Sequence, residues 1–310
     1  MLKSWENWGF TEMPAVHTAV LQEEVLSLLN PKPGQTFIDA TINGGGHAEA
    51  ILASIVPGGT LLGMDWDCEL VQETRRTFEK MKSACTVSII CASYVSMQKE
   101  VAQYGIRQAD GILFDLGFSS YHVDRAGRGF SFMRDEPLDM RYNIHSNDLT
   151  ARQIINEWPE DLIADIVWRY GEERWARRIA QGIARARVKK EIVSSKELSE
   201  IITRSIPRAA RSRVHPATRT FQALRIAVNH ELESLEQVLP EATQLLAPGG
   251  RLAVISFHSL EDRVVKTFFK AEEKRGILRI MTKKPIRPRE EEIHINPRAR
   301  SARLRGAIKI

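Results

Sequence analysis

Several familiar sequence features are scarce or missing, and each absence excludes a class of protein. The three cysteines, Cys68, Cys85 and Cys91, are odd in number and have no CxxC spacing, so they indicate neither a disulfide framework nor a zinc site. No segment reaches the ~18 uninterrupted apolar residues of a membrane span. The first residues also lack the apolar core of a secretory signal. We therefore expect a cytoplasmic protein with no metal site and no membrane partner.

Phosphate-binding and hydrolase signatures are missing too. The sequence contains no GxxxxGKS/T motif, which argues against hydrolysis of a nucleoside triphosphate. A GxGxxG dinucleotide fingerprint that starts at Gly44 fails at its third glycine, where Glu49 stands. GxSxG is absent as well, so Ser256 and His258 do not indicate a serine hydrolase.

Positive charge is concentrated in two stretches of the chain. The sequence has 44 Lys and Arg against 39 Asp and Glu, a net charge of +5. Residues 283–310 hold nine of the basic residues with three Glu, and residues 201–230 hold six arginines with no acid. Clustered positive charge favours a polyanionic partner, with nucleic acid as the leading candidate, and the alternative is a solvated face.

Short apolar runs bounded by Gly, Pro or Asp predict seven strands. The first four alternate with helical patterns, which is typical of parallel βαβ units, and the last two are placed to pair antiparallel. The pattern predicts an α/β protein with a seven-stranded, mostly parallel sheet. The predicted strands cover residues 35–40, 60–65, 86–91, 110–115, 251–257, 277–283 and 302–309.

A helical segment interrupts the α/β pattern between the fourth and fifth strands. It begins with a loop rich in Arg, Gly and Phe over residues 121–146 and is helical from Thr150 to about Pro207. The predicted organisation is therefore a discontinuous sheet domain and an inserted helical domain that recognises the substrate. The sheet domain covers 1–120 plus 216–310, and the helical domain covers 121–215.

Local signals place several helix ends. Thr150 is a predicted N-cap, and Pro159 is expected to break the helix that follows it. Ser194 with Glu197 forms a capping-box pattern at the start of a later helix. After the insert, the pattern predicts one helix that ends before Pro240 and a second helix that follows it.

The stretch FIDATINGGGHAEAIL, residues 37–52, reads as a strand, a glycine loop and a helix. Asp39 ends the first strand beside the glycines. Asp65 ends the second strand about 20 residues past the loop, where an acid can accept both hydroxyls of a ribose. Glycines for close approach and an acid for the ribose suit a ligand with adenosine and no phosphate. S-adenosylmethionine is such a ligand, and a dinucleotide stays open as the second alternative.

Polar and aromatic residues also follow the later strands, at the edge where open α/β sheets bind ligands. Tyr94, after the third strand, is placed to cover an adenine, and its alternative role is that of a core aromatic. Asp115 ends the fourth strand and is followed by Ser119. The polar side chains after the fifth strand are expected to cap the next helix and to line the site; they are Ser256, His258, Ser259, Glu261 and Asp262.

Longer motifs carry a family resemblance. The chain contains, in this order, GGGHAEAIL, DGILFDLGFSS, RGFSF, PLDMR, YGEERWARRIA, HPATRTFQALRIAVNHEL and GGRLAVISFHSLEDRVVK. Together they resemble the bacterial 16S ribosomal RNA cytosine-N4 methyltransferase family, from about Val16 to the end of the chain. The resemblance implies a Rossmann-like methyltransferase fold interrupted by a helical domain, with S-adenosylmethionine as cofactor. It further implies methyl transfer to the exocyclic N4 of a specific cytidine in the decoding centre, the small ribosomal subunit as partner, and a capacity to form homodimers.

The resemblance also implies which positions bind the methyl donor. This chain departs from its relatives at some of them: Asn43 and Gly44 stand where a glycine and then an arginine are common, and Phe118 replaces a common valine. Relatives usually have phenylalanine at the position of Tyr94, and they often have glutamine at the position of His122. The matching positions are Gly45, Gly46, His47, Asp65, Tyr94, Asp115 and His122.

Transfer to N4 would need help from the protein, because the lone pair of that amine is delocalised into the ring. An acceptor that holds one N4 hydrogen can localise the lone pair, and alignment with the donor supplies much of the acceleration. We expect Asp115, or the hydroxyl or backbone carbonyl of Ser119, to be this acceptor.

Candidate RNA contacts lie in the insert and after it. Phe130 and Phe132, flanked by Arg125 and Arg128, are predicted to clamp an unstacked base, or alternatively to anchor the loop to the helical domain. Two other functions stay open, namely methylation of another RNA, DNA or protein, and RNA binding by a non-enzymatic ribosome-assembly factor. The arginines predicted to contact phosphate, with bracing of the two domains as the alternative, are Arg208, Arg211, Arg213 and Arg219.

Overall fold

The strands of the protein form one sheet. The computed structural model describes residues 19–81, 83–117, 120–208 and 214–310, with the backbone alone at 120 and 124. Seven strands lie in these ranges: β1 Thr36–Asp39, β2 Thr60–Asp65, β3 Thr86–Cys91, β4 Ala109–Asp115, β5 Leu246–Ser256, β6 Leu278–Ile280 and β7 Arg303–Lys309. Their order across the sheet is β3-β2-β1-β4-β5-β7-β6. β1 to β5 are parallel, and β7 lies antiparallel between β5 and β6.

The sheet confirms the predicted α/β class, and all seven strands overlap their predicted positions. Successive side chains of a strand point to opposite faces, so apolar runs bury both faces of the sheet. In β1, for example, Phe37 belongs to one hydrophobic cluster and Ile38 to the other. β5 begins at Leu246, before its predicted start at 251.

Helices cover both faces of the sheet and form a bundle between β4 and β5. None of the helices in the described ranges combines the length and the apolar character that a membrane crossing needs. The helices are α1 Gln22–Leu29, α2 Gly46–Ile55, α3 Cys68–Glu79, α4 Met97–Gln103, α5 Ser120–Asp124, α6 Ala151–Glu157, α7 Glu160–Gly171, α8 Ala176–Lys189, α9 Ser195–Ser205, α10 Thr218–Asn229, α11 Glu231–Leu245, α12 Ser259–Lys274 and α13 Glu290–Ile295.

The predicted helix ends within the insert are confirmed. Thr150 caps α6, and Gln153 completes the capping box. Pro159 separates α6 from α7. Ser194 caps α9 by accepting a hydrogen bond from the Glu197 backbone N–H at 3.3 Å.

The predicted helix break at Pro240 is wrong. The chain instead breaks at His230, which adopts a left-handed conformation with φ of 50° and separates α10 from α11. Pro240 lies inside α11, where the buried Val238, Leu239 and Ala242 hold the helix against the sheet. Packing therefore outweighs the loss of one helical hydrogen bond at the proline.

The cysteine pattern did not indicate a disulfide framework, but the structure contains one disulfide. Cys68 and Cys91 are joined by a disulfide, and Cys85 is free. Cys68 opens α3 after β2, and Cys91 ends the neighbouring parallel strand β3, so the fold brings their Cα atoms to 5.0 Å. The sequence separation of 23 residues gives no sign of this proximity.

The bundle has its own apolar core, made by side chains of α6 to α10 and of the preceding loop. α10 packs on α7, and its Phe221 and Leu224 belong to this core rather than to the sheet clusters. The division into a sheet domain and a helical domain stays a prediction, and this packing favours a second boundary near His230 rather than at 215. We call residues 121–229 the helical unit.

A buried ion pair joins α10 to α11. Arg225 Nε and Nη2 donate to the two carboxylate oxygens of Glu231 at 2.7 and 2.8 Å. Both side chains are only 8% exposed. A pair with this geometry is costly to break, because the remaining charge would stay buried.

Replacing Arg225 by methionine is expected to lower the free energy of unfolding by about 3–5 kcal/mol, because Glu231 loses its charge partner. Arg169→Met is the control, since Arg169 pairs with Asp165 at 3.3 Å on the surface and is expected to contribute less than about 1 kcal/mol. Urea denaturation followed by circular dichroism measures both variants. Equal losses would show that the buried pair does not secure α10 against α11.

Candidate active site

A cleft opens at the carboxyl ends of the parallel strands. This is the edge at which open α/β sheets bind their ligands. Three residues predicted to bind the donor line the cleft, namely Asp65, Tyr94 and His122. Asn43, which directly precedes the glycines of the loop, lines it as well. Its other wall comes from Tyr142 in the helical unit and from the start of α11.

The glycine loop brings the N-terminus of α2 to this edge. Gly45 has φ of 85°, and a Cβ there would lie 2.6 Å from Phe78 Cε2, so the position requires glycine. Gly46 is the first residue of α2 and His47 the second. The free N–H groups and the dipole of a helix N-terminus favour an anionic group of the ligand at this point.

Asp65 lies in the cleft at the end of β2, as predicted. Its two carboxylate oxygens accept hydrogen bonds from the backbone N–H groups of Asn43 and Asp67, each at 3.0 Å. These bonds fix the carboxylate and leave each oxygen a further lone pair for a ligand hydroxyl. The geometry suits a vicinal diol such as that of a ribose.

Tyr94 forms part of the cleft wall after β3. Its ring meets Phe114 edge-on, with centroids 5.8 Å apart. Burial raises the pKa of the Tyr94 hydroxyl well above its usual value, so the group stays protonated at neutral pH. A flat aromatic wall held in this way can cover a purine ring.

Three acidic side chains end the neighbouring strands β1, β2 and β4. Burial and, to a smaller extent, repulsion from Asp65 raise the pKa of Asp39 to about 7, against the opposing effect of the hydrogen bond from the Thr41 N–H. Burial, followed by repulsion from Asp39 and Glu261, raises the pKa of Asp115 well above its usual range. Burial also raises the pKa of Asp65. This side of the cleft therefore favours a cationic ligand, which would relieve the repulsion.

Neither His47 nor Asp115 is among the described residues that line the cleft. His47 Nε2 is 3.8 Å from Asp115 Oδ2, and both residues are buried. The backbone N–H of Asp115 donates to Thr41 Oγ1 at 2.6 Å. Leu116 and Gly117, which directly follow Asp115, line the cleft.

His122 lines the cleft and is also bound to the sheet. Its Nε2 is 3.1 Å from Asp67 Oδ2, and its ring packs edge-on against Tyr142 and Phe130 at 5.1 and 5.2 Å. Asp67 also caps α3 and accepts a hydrogen bond from Arg128 Nη2. His122 therefore positions the loop over the cleft, in addition to any contact with a ligand.

The structure corrects two of the predicted RNA contacts. Arg128 is buried, with Asp67 and the carbonyl groups of Arg141 and Tyr142 as its partners. Phe130 is also buried and stacks on Tyr142, with centroids 5.6 Å apart. In this conformation neither side chain is presented to RNA, which matches the anchoring alternative.

Other predicted RNA contacts are accessible. Arg125 is exposed and pairs with Glu73 at 3.2 Å, and Arg208 is exposed. Phe132 is partly buried and stacks on His215 at 4.6 Å. Arg219 is more than half exposed, 3.9 Å from Glu173. Ser119, Arg211 and Arg213, together with the family departure at Phe118, lie outside the described residues.

Sequence reasoning missed most of the second wall of the cleft. The missed residues include Tyr142, Asn229 and Glu231, whereas Glu261 was expected to line the site and does so. The motif HPATRTFQALRIAVNHEL contains Asn229 and Glu231, but no spacing rule marks them as cleft residues. They reach the cleft because the break at His230 turns the chain there.

Glu231, His258 and Glu261 place three metal-type ligand atoms within 4.8 Å of one another. These atoms already have protein partners. Arg225 binds Glu231 through two hydrogen bonds, and His258 Nε2 is 3.1 Å from Glu261 Oε1. The guanidinium would repel a metal cation, so the cluster is better described as the capping box of α12 joined to an ion pair.

Sequence comparison connects this architecture to known proteins. The model of the MraW methylase family matches residues 14–310. A protein of Heliobacterium mobile named Ribosomal RNA small subunit methyltransferase H is 46% identical, covering 95% of this chain and 99% of the relative. One of the same name from Syntrophotalea carbinolica is 43% identical, covering 95% and 98%. The chain belongs to the MraW methylase family.

One solved structure with a similar fold is that of an rRNA methylase from Streptococcus thermophilus. It is 9% identical, the alignment covers 93% of each chain, and the TM-score is 0.43. The family assignment therefore rests on the sequence relatives.

The cofactor of the methylase is S-adenosylmethionine, and the cleft suits it. The positively charged sulfonium and ammonium groups would meet the acidic strand ends, and the carboxylate would meet the N-terminus of α2. Asp65 would hold the ribose hydroxyls, and Tyr94 would cover the adenine. The fold is thus that of a Rossmann-like methyltransferase with an inserted helical segment.

Asp65→Asn is expected to weaken binding of S-adenosylmethionine about 10- to 100-fold, since a hydrogen bond to a charged group contributes about 1.5–3 kcal/mol. The control is Asp110→Asn, because Asp110 accepts the Thr36 N–H at the opposite end of the sheet. Isothermal titration calorimetry measures both affinities. A normal affinity in a folded Asp65→Asn protein would contradict the assignment of the ribose acid.

Affinity for S-adenosylmethionine is expected to rise with pH through the pKa of Asp39, about 7. A cation binds better to ionised Asp39, so protonation below pH 7 is expected to weaken binding about tenfold at pH 6 relative to pH 8. The amino group of the ligand titrates too, and Asp39→Asn measured under the same conditions corrects for it. Parallel pH profiles for the two proteins would rule out Asp39 as the titrating group.

Proposed function

We propose that the protein methylates the exocyclic N4 of one cytidine in the decoding centre of 16S ribosomal RNA. The near full-length relatives are named as methyltransferases of the small ribosomal subunit RNA, which supports an RNA substrate. The resemblance of the sequence motifs supports the N4 atom of cytidine as the acceptor. On this proposal the partner is the small ribosomal subunit, and the protein acts in the cytoplasm.

The proposal depends mainly on one observation, namely that a buried carboxylate oxygen in the described structure accepts no hydrogen bond. Oδ1 of Asp115 is buried and has no hydrogen-bond partner among the described residues. Leaving a buried acceptor unsatisfied is costly, unless a ligand donates to it during function. An amino group of a nucleobase is such a donor, and an acid is the usual acceptor for the N4 hydrogens of cytosine.

Asp115 would hold one N4 hydrogen and so localise the lone pair of the amine. S-adenosylmethionine supplies the transferable methyl group on its sulfonium when bound. The nearby positive charge would favour the ionised form of Asp115, which can then accept the proton that the methylated amine loses. Ser119 stays a second candidate for the same role.

Target recognition would involve the accessible residues around the helical unit. The pair of stacked rings, Phe132 and His215, offers a platform for an unstacked base. Arg125, Arg208 and Arg219 are exposed and can contact phosphates.

The proposed reaction can be tested on small ribosomal subunits from cells that lack the protein. We expect incubation with labelled S-adenosylmethionine to yield N4-methylcytidine at one decoding-centre site, identified by mass spectrometry of the nucleosides. Another methylated nucleoside would overturn the proposed target. Donor binding without any methylation, on subunits at every stage of assembly, would favour the non-enzymatic assembly factor.

Asp115→Asn is expected to lower the single-turnover rate at saturating donor by about 10²- to 10⁴-fold, because the amide is a weaker acceptor and cannot take up the proton. Asp65→Asn is the matched control, since it is expected to weaken donor binding and to keep that rate. Rapid-quench measurement of the methylated subunit gives both rates. A lower donor affinity with an intact rate in Asp115→Asn would rule out the proposed role.

A further inference from the structure

One charged surface is not used by the function proposed above. Residues 174–190, RWARRIAQGIARARVKK, contain seven Lys and Arg and no acid. α8 buries Ile179, Ala180 and Ile183 in the core of the helical unit. Arg187 donates to the carbonyl groups of Ile155 and Trp158, whereas the exposed basic side chains of the helix lie away from this buried side.

Three of these charges lie along one line of the helix surface, and a fourth lies in the turn directly before the helix. At 100° per residue, the side chains of 178, 185 and 189 point within about 20° of one direction, and this helical part is about 17 Å long at 1.5 Å per residue. Arg174 lies in the turn before Ala176, and all four side chains are exposed. We call Arg174, Arg178, Arg185 and Lys189 the α8 row.

The charges of the α8 row are not neutralised. Within the described part of the chain, no carboxylate lies within ion-pair distance of any member of the row. Three exposed arginines elsewhere in the helical unit do have such partners: Arg152 with Glu191, Arg169 with Asp165, and Arg204 with Glu200. The row differs from these paired positions of the same unit.

Two members of the row are held in place by an aromatic side chain. The guanidinium groups of Arg174 and Arg178 lie 5.4 and 5.6 Å from the ring centroid of Trp175. Cation–π contacts of this kind restrict the rotamers and so reduce the entropy lost when an anion binds.

The row begins beside the sheet edge that carries the cleft. Glu172, two residues before Arg174, accepts hydrogen bonds from Ser259 Oγ at 2.5 Å and from Arg263 Nη2 at 2.8 Å. Ser259 is the first residue of α12, directly after the carboxyl end of β5. A polymer lying on the row can therefore continue toward the cleft.

We propose that the α8 row binds the ribose–phosphate backbone of the RNA substrate next to the target nucleotide. A row of exposed guanidinium groups can form charge-assisted hydrogen bonds with successive phosphates of an RNA backbone. A membrane surface fits less well, because the apolar face of α8 is buried in the core instead of facing outward. The proposal rests on the proposed function, since it takes the same RNA as ligand.

The test compares Arg174→Gln/Arg178→Gln/Arg185→Gln with Lys266→Gln/Lys270→Gln/Lys274→Gln. The control removes three exposed charges at four-residue spacing from α12, outside the helical unit. Binding of a labelled single-stranded RNA is followed by fluorescence anisotropy over a range of salt concentrations. For the α8 variant we expect weaker binding and a slope of log K against log salt that is smaller by about 2, at about 0.7 per lost contact. The control is expected to keep the wild-type slope.

Two further measurements separate the possible failures. Unchanged affinity for S-adenosylmethionine shows that the α8 variant is folded, and Arg→Lys at the same three positions is expected to recover most of the salt slope. Methylation of small subunits by the variant is expected to show a raised KM with little change in kcat. A wild-type slope in the α8 variant, or equal losses in the control, would overturn the role of the row. Failure of the wild-type protein to methylate subunits would instead overturn the proposed function.

Discussion

The geometry of the cleft depends on one buried carboxylate, that of Asp67. It caps α3 and binds both His122 and Arg128 from the segment that follows β4. Burial raises the pKa of Asp67, but the hydrogen bond and charge of His122, together with Arg128, lower it below the usual value. Arg128 in turn donates to the carbonyl groups of Arg141 and Tyr142 at 2.9 and 2.8 Å. The wall of the cleft is thus fixed to the sheet through a charge that the protein itself neutralises.

The acids at the strand ends differ from Asp67, because the protein does not neutralise their charge. Asp39 and Asp115 lie where no Lys or Arg among the described residues pairs with them, and their pKa values are raised. Ionising such groups in the folded state costs stability, a cost that grows as pH rises from the unfolded pKa to the folded one. A cationic ligand removes that cost when it binds. The acids at the strand ends therefore lower the stability of the free protein and raise its affinity for a cationic ligand. Asp67, in contrast, contributes to the stability of the free protein.

The sequence allowed the sheet and the donor edge to be predicted, because both depend on local patterns. Short apolar runs bounded by Gly, Pro or Asp indicated the strands, and the predicted parallel topology placed Asp65 and Tyr94 at a common edge. The second wall could not be predicted in the same way. Glu231 reaches the cleft only because the chain turns at His230, and a left-handed histidine has no sequence signature as strong as a proline. The disulfide between Cys68 and Cys91 likewise depends on the pairing of β2 with β3.

Charge was the least reliable guide to the substrate surface, for a physical reason. A run of arginines shows where positive charge occurs in the chain, but only the fold shows which charges have partners. In the arginine-rich stretch 201–230, Arg204 pairs with Glu200 and Arg225 is buried against Glu231. The α8 row lies in a segment where seven Lys and Arg follow Glu172 and Glu173, and in the fold those acids bind α12 and Arg219 instead of the row. The contact of Glu172 with Ser259 and Arg263 leaves the row without this carboxylate and also joins the segment before α8 to the start of α12, next to the carboxyl end of β5.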